Sequence, residues 1–472
     1  MIRGLAVFGS LIAVLLSGHP APAAEPQRRD MAPEPAVGVQ ATLERIPGMR
    51  VVDAQGFDGG AVFRLSYRQP VDHQHPGRGS FRQRLVLIHV NRSAPMVLQT
   101  TGYDLPYKPE ITEPTTMLGA NQVSVEQRYF LPSRPDPARW RHLTITQAAA
   151  DHHRIVTALK PIYPQPWIST GASKGGMASV YHRRFYPDDL AGTVAYVAPN
   201  DVRDREDRYQ AFIDRAGQDR SCNRGLRVLQ REALERRATL LRMLRTLLRH
   251  QGHTVTRTYG SLSRSFEATV LATPFTFWTY YGSFLCSEVP GGRATDRQVF
   301  DFIAMTADWT FGTDQGLRPY EAYYFQAAHE LGAPAVGPDS QHLRGLLRHP
   351  RSESPRWAIP ARLRTVAFRP AAMRRIDAWV RSEGSRLLFV YGEDDPWSAE
   401  PFRFGRGSRD SARFFVAEGN HGSSIWQLGR AERRRAERMV LRWGGIERRP
   451  ALPAGFAGLT TEAENRMRVR LR

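Results

Sequence analysis

A chain of 472 residues, 41% hydrophobic and 10% aromatic, has the apolar mass for a large packed core, which excludes a disordered polymer. Its formal net charge of +20 invites a nucleic-acid role, yet only Lys108, Lys160 and Lys174 are lysine, and the arginines are spread along the whole chain. A phosphate-binding surface gathers its basic groups in one arm or stripe, so nucleic acid is not an expected partner.

The first 24 residues carry Arg3, an apolar run from Leu5 to Leu16, and Ala21-Pro22-Ala23. This is the pattern of a secretory signal peptide with an A-x-A site, so cleavage near Ala23 or Ala24 and a secreted product are expected. The apolar run is too short to span a bilayer and no later stretch reaches that length, so no integral membrane segment is expected. Residues 25–40, rich in Pro, Ala and Arg without periodicity, read as a loose lead-in.

Strand patterns follow at 61–67, 84–90, 95–100 and 122–125, the first two reading as an antiparallel pair and the others as buried parallel strands. Residues 146–159 have helical periodicity. Trp167-Ile168-Ser169-Thr170 reads as a short buried strand, Met177 to Tyr186 as a helix, and 192–198 as the next strand. Strand and helix alternate here, which predicts an α/β core: a mostly parallel sheet with helices on both faces.

Between the 167–170 strand and the helix after it lies Gly171-Ala172-Ser173-Lys174-Gly175, a G-x-S-x-G nucleophile elbow in the strand-turn-helix setting that this turn requires. A serine hydroxyl is a poor nucleophile at its own pKa, so a sharp turn must expose Oγ to a base while small neighbours let the helix pack close. The backbone N–H of Lys174 is the first candidate for an oxyanion hole. A second backbone donor is expected from the loop Gln99-Thr100-Thr101-Gly102-Tyr103, at Gly102 or Tyr103.

After Asn200-Asp201 the pattern changes. Residues 204–360 contain helical stretches at 226–250, 265–284, 298–307, 320–331 and 340–348 and no strand pattern. The expected organisation is a signal peptide (1–24), a first part of the core (25–203), an inserted helical cap (204–360) and a second part of the core (361–472). The dense basic runs Arg231 to Arg242 and Arg430 to Arg442 have helical spacing and read as wet helix faces. Cys222 and Cys286, the two cysteines, are expected to pair in an exported chain, with two buried thiols as the alternative. Neither has metal-site spacing and there is no H-E-x-x-H, so no metal or other cofactor is expected.

Strand patterns return at 386–391 and 413–416, and a last helix is expected over 427–443. The first strand runs into Gly392-Glu393-Asp394-Asp395-Pro396-Trp397, the second into Glu418-Gly419-Asn420-His421-Gly422-Ser423. Hydrolases with this elbow take an acid and then a histidine from the ends of later strands. That order makes Ser173, Asp395 and His421 the candidate nucleophile, acid and base, with Asp394 a direct competitor of Asp395. Singly, a loop histidine or a capping aspartate has a plain structural role. Jointly they point to acyl transfer.

With these pieces assembled, the chain resembles the secreted bacterial serine aminopeptidases of the prolyl tri/tetrapeptidyl aminopeptidase family, α/β-hydrolases distantly related to prolylcarboxypeptidase. The resemblance runs over nearly all of the mature chain and is carried by Ser169 to Met177, Tyr181 to Pro187, Tyr196 to Asp201, Glu126 to Phe130 and Tyr391 to Trp397. It implies that Ser173 is the nucleophile, Asp395 rather than Asp394 the acid, and His421 the base. It also implies an enzyme that hydrolyses short peptides from the N-termini of peptides or proteins, often after proline. For such a substrate Trp278, Tyr281, Trp309 and Trp397, with Phe275, Phe277, Tyr280 and Phe284, are candidates for an apolar slot, internal packing being the competing role for most. The substrate ammonium needs an acidic group, for which Glu126, Glu288, Asp308 and Glu321 are candidates, although Glu126 could instead pair with Arg128. An esterase or lipase of the same fold is the alternative reading, and a non-catalytic binding protein a third.

Overall fold

The computed structural model describes residues 36–461 apart from 107, 203–207, 336–340, 350–351, 353 and 453. The expected signal peptide and its cleavage site lie outside the described residues. Strands β1 (Met49–Phe57), β2 (Gly60–Pro70), β3 (Ser80–His89) and β4 (Met96–Thr100) come first. After the two-residue β5 (Glu110–Ile111) come β6 (Asn121–Val125), β7 (Trp167–Ala172), β8 (Gly192–Tyr196), β9 (Leu387–Gly392) and β10 (Ala412–Val416). All but β5 form a nine-stranded sheet in the order β1-β2-β3-β6-β4-β7-β8-β9-β10, while β5 pairs with β11 (Thr460–Thr461). The pairs from β1 to β6 are antiparallel and those from β6 to β10 are parallel. Strands β4, β6, β7, β8 and β9 are buried at every residue, as parallel strands covered on both faces must be.

The two faces bury alternate residues of the same strands. Val97, Ile168, Val194 and Leu388 pack on one side with α2 (Glu113–Leu118) and α13 (Arg430–Trp443), through Met117, Leu118, Met439, Val440 and Trp443. On the other side Met96, Leu98 and Val123 meet α1 (Ala36–Glu44) and α3 (Ile145–Leu159). There too Ala195, Leu387 and Phe389 meet α4 (Lys174–Phe185) and α12 (Ala371–Ser382). The architecture is that of an α/β-hydrolase, with β7 and its following turn in the middle of the sheet.

Between β8 and β9 the described residues contain no strand. They form α5 (Tyr209–Ile213), α6 (Arg220–Glu235), α7 (Arg237–Gln251), α8 (Leu262–Tyr280), α9 (Asp296–Ala307), α10 (Asp314–Leu317) and α11 (Glu321–Gln326). Leu226, Leu229, Leu240, Leu244, Phe266 and Ile303 are among the residues of their own apolar core. The helix expected over 226–250 is two helices broken at Arg236, whose guanidinium binds Glu232, Asp296 and the Ala294 carbonyl. Of the helix expected over 340–348, the described residues form one short helical turn, Gln341–Leu343. Cys222 of α6 and Cys286, in the turn after α8, form a disulfide across 64 residues. Further upstream, α1 begins inside the expected lead-in and buries Val39 and Leu43.

Candidate active site

Ser173 stands between β7 and α4 at φ 56, ψ −128, a left-handed conformation that a non-glycine residue adopts only when its surroundings hold it there. Three contacts hold it. Its N–H donates to the Tyr196 carbonyl of β8 at 2.9 Å, and its carbonyl accepts from the Met177 N–H at 3.0 Å. Thr100 Oγ1 donates to the Gly175 carbonyl at 2.7 Å, tying the turn to the end of β4. Glycine is required at both ends, since a Cβ on Gly171 would lie 2.5 Å from the Gly175 carbonyl carbon and one on Gly175 would lie 2.4 Å from the Thr100 oxygen.

At the end of β9, Asp395 caps the short helix Pro396–Ala399 by accepting from the Trp397 N–H at 3.2 Å through Oδ1. Its Oδ2 lies 2.8 Å from His421 Nδ1, with the aspartate side chain fully buried and the imidazole 8% exposed. Asp394 takes a different partner: its Oδ1 accepts from the Gly217 N–H at 2.8 Å, and burial raises its pKa above the ordinary carboxylate value. The two neighbouring carboxylates are therefore separated by geometry, and the one on the imidazole is Asp395. The histidine loop is itself anchored on α8: the His421 N–H donates to the Thr279 carbonyl at 2.9 Å and Asn420 Nδ2 to the Tyr280 carbonyl at 3.1 Å. The rings of Tyr280 and Trp397 stand 6.1 and 6.0 Å from the imidazole.

The turn after β4 packs directly on the elbow. Gly102 has φ +73, and a Cβ there would lie 2.4 Å from the Gly175 nitrogen. Its carbonyl accepts from Lys174 Nζ at 2.7 Å. Burial lowers the Lys174 ammonium from 10.5 to about 7, against an opposing pull from Glu330. The Tyr103 backbone N–H, an expected oxyanion donor, points to Thr101 Oγ1 at 3.3 Å. The tyrosine hydroxyl instead reaches the elbow, 3.5 Å from Ser173 Oγ. Sequence reasoning named Tyr103 for its backbone N–H and missed this hydroxyl.

The remaining candidates divide clearly. Trp397 belongs beside His421, where its ring meets Phe275 edge to face at 5.0 Å. Trp278 and Trp309 do not form an apolar slot: Trp278 is fully buried with Nε1 on Asn223, and Trp309 is stacked between Phe266 and Phe300. Tyr281 spends its hydroxyl on the Met305 carbonyl at 2.6 Å. Glu126 is fully buried, and it binds Arg84, the Leu105 N–H and Ser133 instead of Arg128. Arg128 is held by Asp151. Glu321 pairs with Arg134, Asp308 accepts from the Thr310 N–H and hydroxyl, and Glu288 is exposed. Among the described residues no group of three or more His, Cys, Asp or Glu is arranged to hold a metal ion, and no helix is long and apolar enough to cross a membrane.

Comparison with known proteins gives the family of the chain. The family model described as PS-10 peptidase S37 matches residues 32–455. A prolyl tri/tetrapeptidyl aminopeptidase of Streptomyces mobaraensis is 44% identical over 415 residues, covering 87% of this chain and 86% of that protein. A prolyl carboxy peptidase like protein 5 of Caenorhabditis elegans is 28% identical over 191 residues, 37% of this chain and 35% of that protein. Among solved structures, epoxide hydrolase A of Mycobacterium thermoresistibile aligns at 14% identity over 81% of this chain and 99% of its own, with a TM-score of 0.35. On the family match across most of its length and the 44% identity to the Streptomyces enzyme, the chain belongs to the peptidase S37 family.

Proposed function

We propose that this peptidase removes short peptides, of the tri- and tetrapeptide class, from free N-termini after proline, through an acyl-enzyme on Ser173. The observation that carries the reading is the buried 2.8 Å pair between Asp395 and His421, formed at the ends of β9 and β10, in the same sheet as the Ser173 elbow. Asp395 holds Nδ1 of the imidazole, which leaves Nε2 to take the proton from Ser173 Oγ as Oγ attacks the scissile carbonyl. The tetrahedral oxyanion is met by the Lys174 N–H, and collapse expels the new N-terminal amine with the proton from His421. Water then repeats the sequence on the ester, releasing the peptide and freeing Ser173. The substrate class follows the name of the Streptomyces relative. Residues 204–360 act in this reading as a cap over the elbow, admitting a chain end more readily than a folded loop.

The same reading takes residues 1–24 as a signal peptide cleaved near Ala23 or Ala24 and the mature enzyme as secreted. The Cys222 to Cys286 disulfide supports it, because such bridges persist in oxidising compartments. N-terminal sequencing of the protein recovered from culture medium should begin at residue 24 or 25. Substrate class is tested with Ala-Ala-Pro-p-nitroanilide, its N-acetylated form and a short acyl ester, compared by kcat/KM. The free tripeptide should be preferred and acetylation should abolish most of the rate. Preference for the ester would assign an esterase instead.

A further inference from the structure

We propose that the second oxyanion donor is the phenolic hydroxyl of Tyr103, a side chain where the general pattern of this fold supplies a backbone N–H. The inference rests on the reading of Ser173 as nucleophile and adds a catalytic residue to it.

The backbone of Tyr103 is already occupied by its own turn. Its N–H donates to Thr101 Oγ1 at 3.3 Å, and its carbonyl accepts from Thr101 Oγ1 at 2.8 Å and from the Gln127 N–H at 2.8 Å. Its hydroxyl is directed at the elbow, 3.5 Å from Ser173 Oγ. The oxyanion forms on the carbon that becomes bonded to Oγ, two bonds from it, so a donor at this spacing is within hydrogen-bond reach of the new charge.

The ring is held in place, as a preorganised donor has to be. Phe130 meets it edge to face at 5.8 Å, Tyr320 edge to face at 6.5 Å and Tyr323 at a tilt at 5.7 Å, so the body of the protein and the helical segment grip it together. Beneath it, Lys174 Nζ lies 5.8 Å from the ring centroid while it holds the Gly102 carbonyl. The donor also keeps its proton. Burial pushes the phenol up to about 12, against the neighbouring Ser173 hydroxyl and Lys174 backbone N–H, which favour the charged form. Before substrate arrives the hydroxyl stands at the elbow beside Ser173 Oγ. When the carbonyl enters, the Lys174 N–H and the Tyr103 O–H converge on one oxygen. No proton is transferred by the tyrosine; it donates a hydrogen bond throughout.

Tyr103→Phe keeps the ring and its aromatic contacts and removes only the donor. Loss of one oxyanion donor lowers kcat by about 10²–10³, and KM should stay within about threefold because the ground-state carbonyl binds weakly there. Affinity for a peptidyl aldehyde, which carries the tetrahedral oxyanion, should fall in parallel with kcat. A second variant guards against a folding defect: 3,5-difluorotyrosine at position 103 lowers the phenol pKa and should move the alkaline limb of the kcat profile to lower pH, which a purely structural hydroxyl would not do. A folded Tyr103→Phe with unchanged kcat, or with a loss confined to KM, would overturn the inference, as would an unmoved alkaline limb. Ser173→Ala run alongside separates the two claims. If it is inactive while Tyr103→Phe is fully active, only the tyrosine assignment fails; if it is active, the nucleophile reading itself fails.

Discussion

Asp394 and Asp395 are adjacent in sequence and differ in what they touch, so they should differ in what they do. Asp395→Asn would replace the acceptor at His421 Nδ1 with a group that favours the wrong tautomer, lowering kcat by about 10⁴ with little change in stability. Asp394→Asn weakens only the contact with the Gly217 N–H and should leave kcat within about tenfold. Steady-state kinetics on the pair checks both, and equal losses would contradict the assignment. Lys174 offers a test in stability. With a folded pKa of about 7 against an ordinary 10.5, the unfolded chain binds the extra proton between those values, so this group makes stability rise with pH across that window and leaves it flat below. Lys174→Met removes the slope. The wild-type melting temperature should therefore gain on that of the variant as pH is raised from about 7 to 10, and a constant difference would contradict the burial of the ammonium. At this scale the places of Ser173, Asp395 and His421 after β7, β9 and β10, and the pairing of the last two, were legible because each follows a strand in a required order. The Tyr103 hydroxyl was not, because the direction of a side chain on a turn depends on the turn's internal hydrogen bonds.

The helix α8 carries a mechanical load as an element. Its last residues hold the His421 and Asn420 backbone and side-chain groups through the Thr279 and Tyr280 carbonyls, and the turn that follows it is bridged to α6 by Cys222 to Cys286. A closed loop of this size stabilises by about 4 kcal/mol in the chain-entropy model. The double variant Cys222→Ser, Cys286→Ser should lose stability of that order by denaturant titration and should lose kcat at temperatures where α8 frays. Unchanged stability would mean that the bridge carries nothing. Elements with strong patterns were legible: the parallel strands, α3, α4 and the long helices after β8. Three were not. Strand β1 exposes most of its residues, so it lacks the alternation that marks a half-buried strand. Helix α12 carries three arginines and buries Met373, Ile376 and Val380 in single file, a stripe too thin to stand out. The break between α6 and α7 falls at Arg236, whose guanidinium makes tertiary contacts with Asp296 and the Ala294 carbonyl that periodicity does not contain.

For the whole molecule, the nine-stranded sheet carries the central elbow, and most of the helices between β8 and β9 pack around a core of their own. The aromatic candidates illustrate the limit of composition: Trp278 and Trp309 were as plausible as Trp397 in the sequence, yet the first two stabilise the helical core and only the third stands beside His421. The arginines are spread along the whole chain, and several lie over aromatic rings, such as Arg264 over Trp357 and Arg433 over Trp426. The central claim is the acyl-enzyme on Ser173, and its most direct measurement is intact and peptide mass spectrometry of enzyme treated with a fluorophosphonate, with Ser173→Ala in parallel. The account predicts one adduct, on the peptide containing Ser173, and neither adduct nor peptidase turnover in the variant; an adduct elsewhere, or turnover retained by Ser173→Ala, would contradict it.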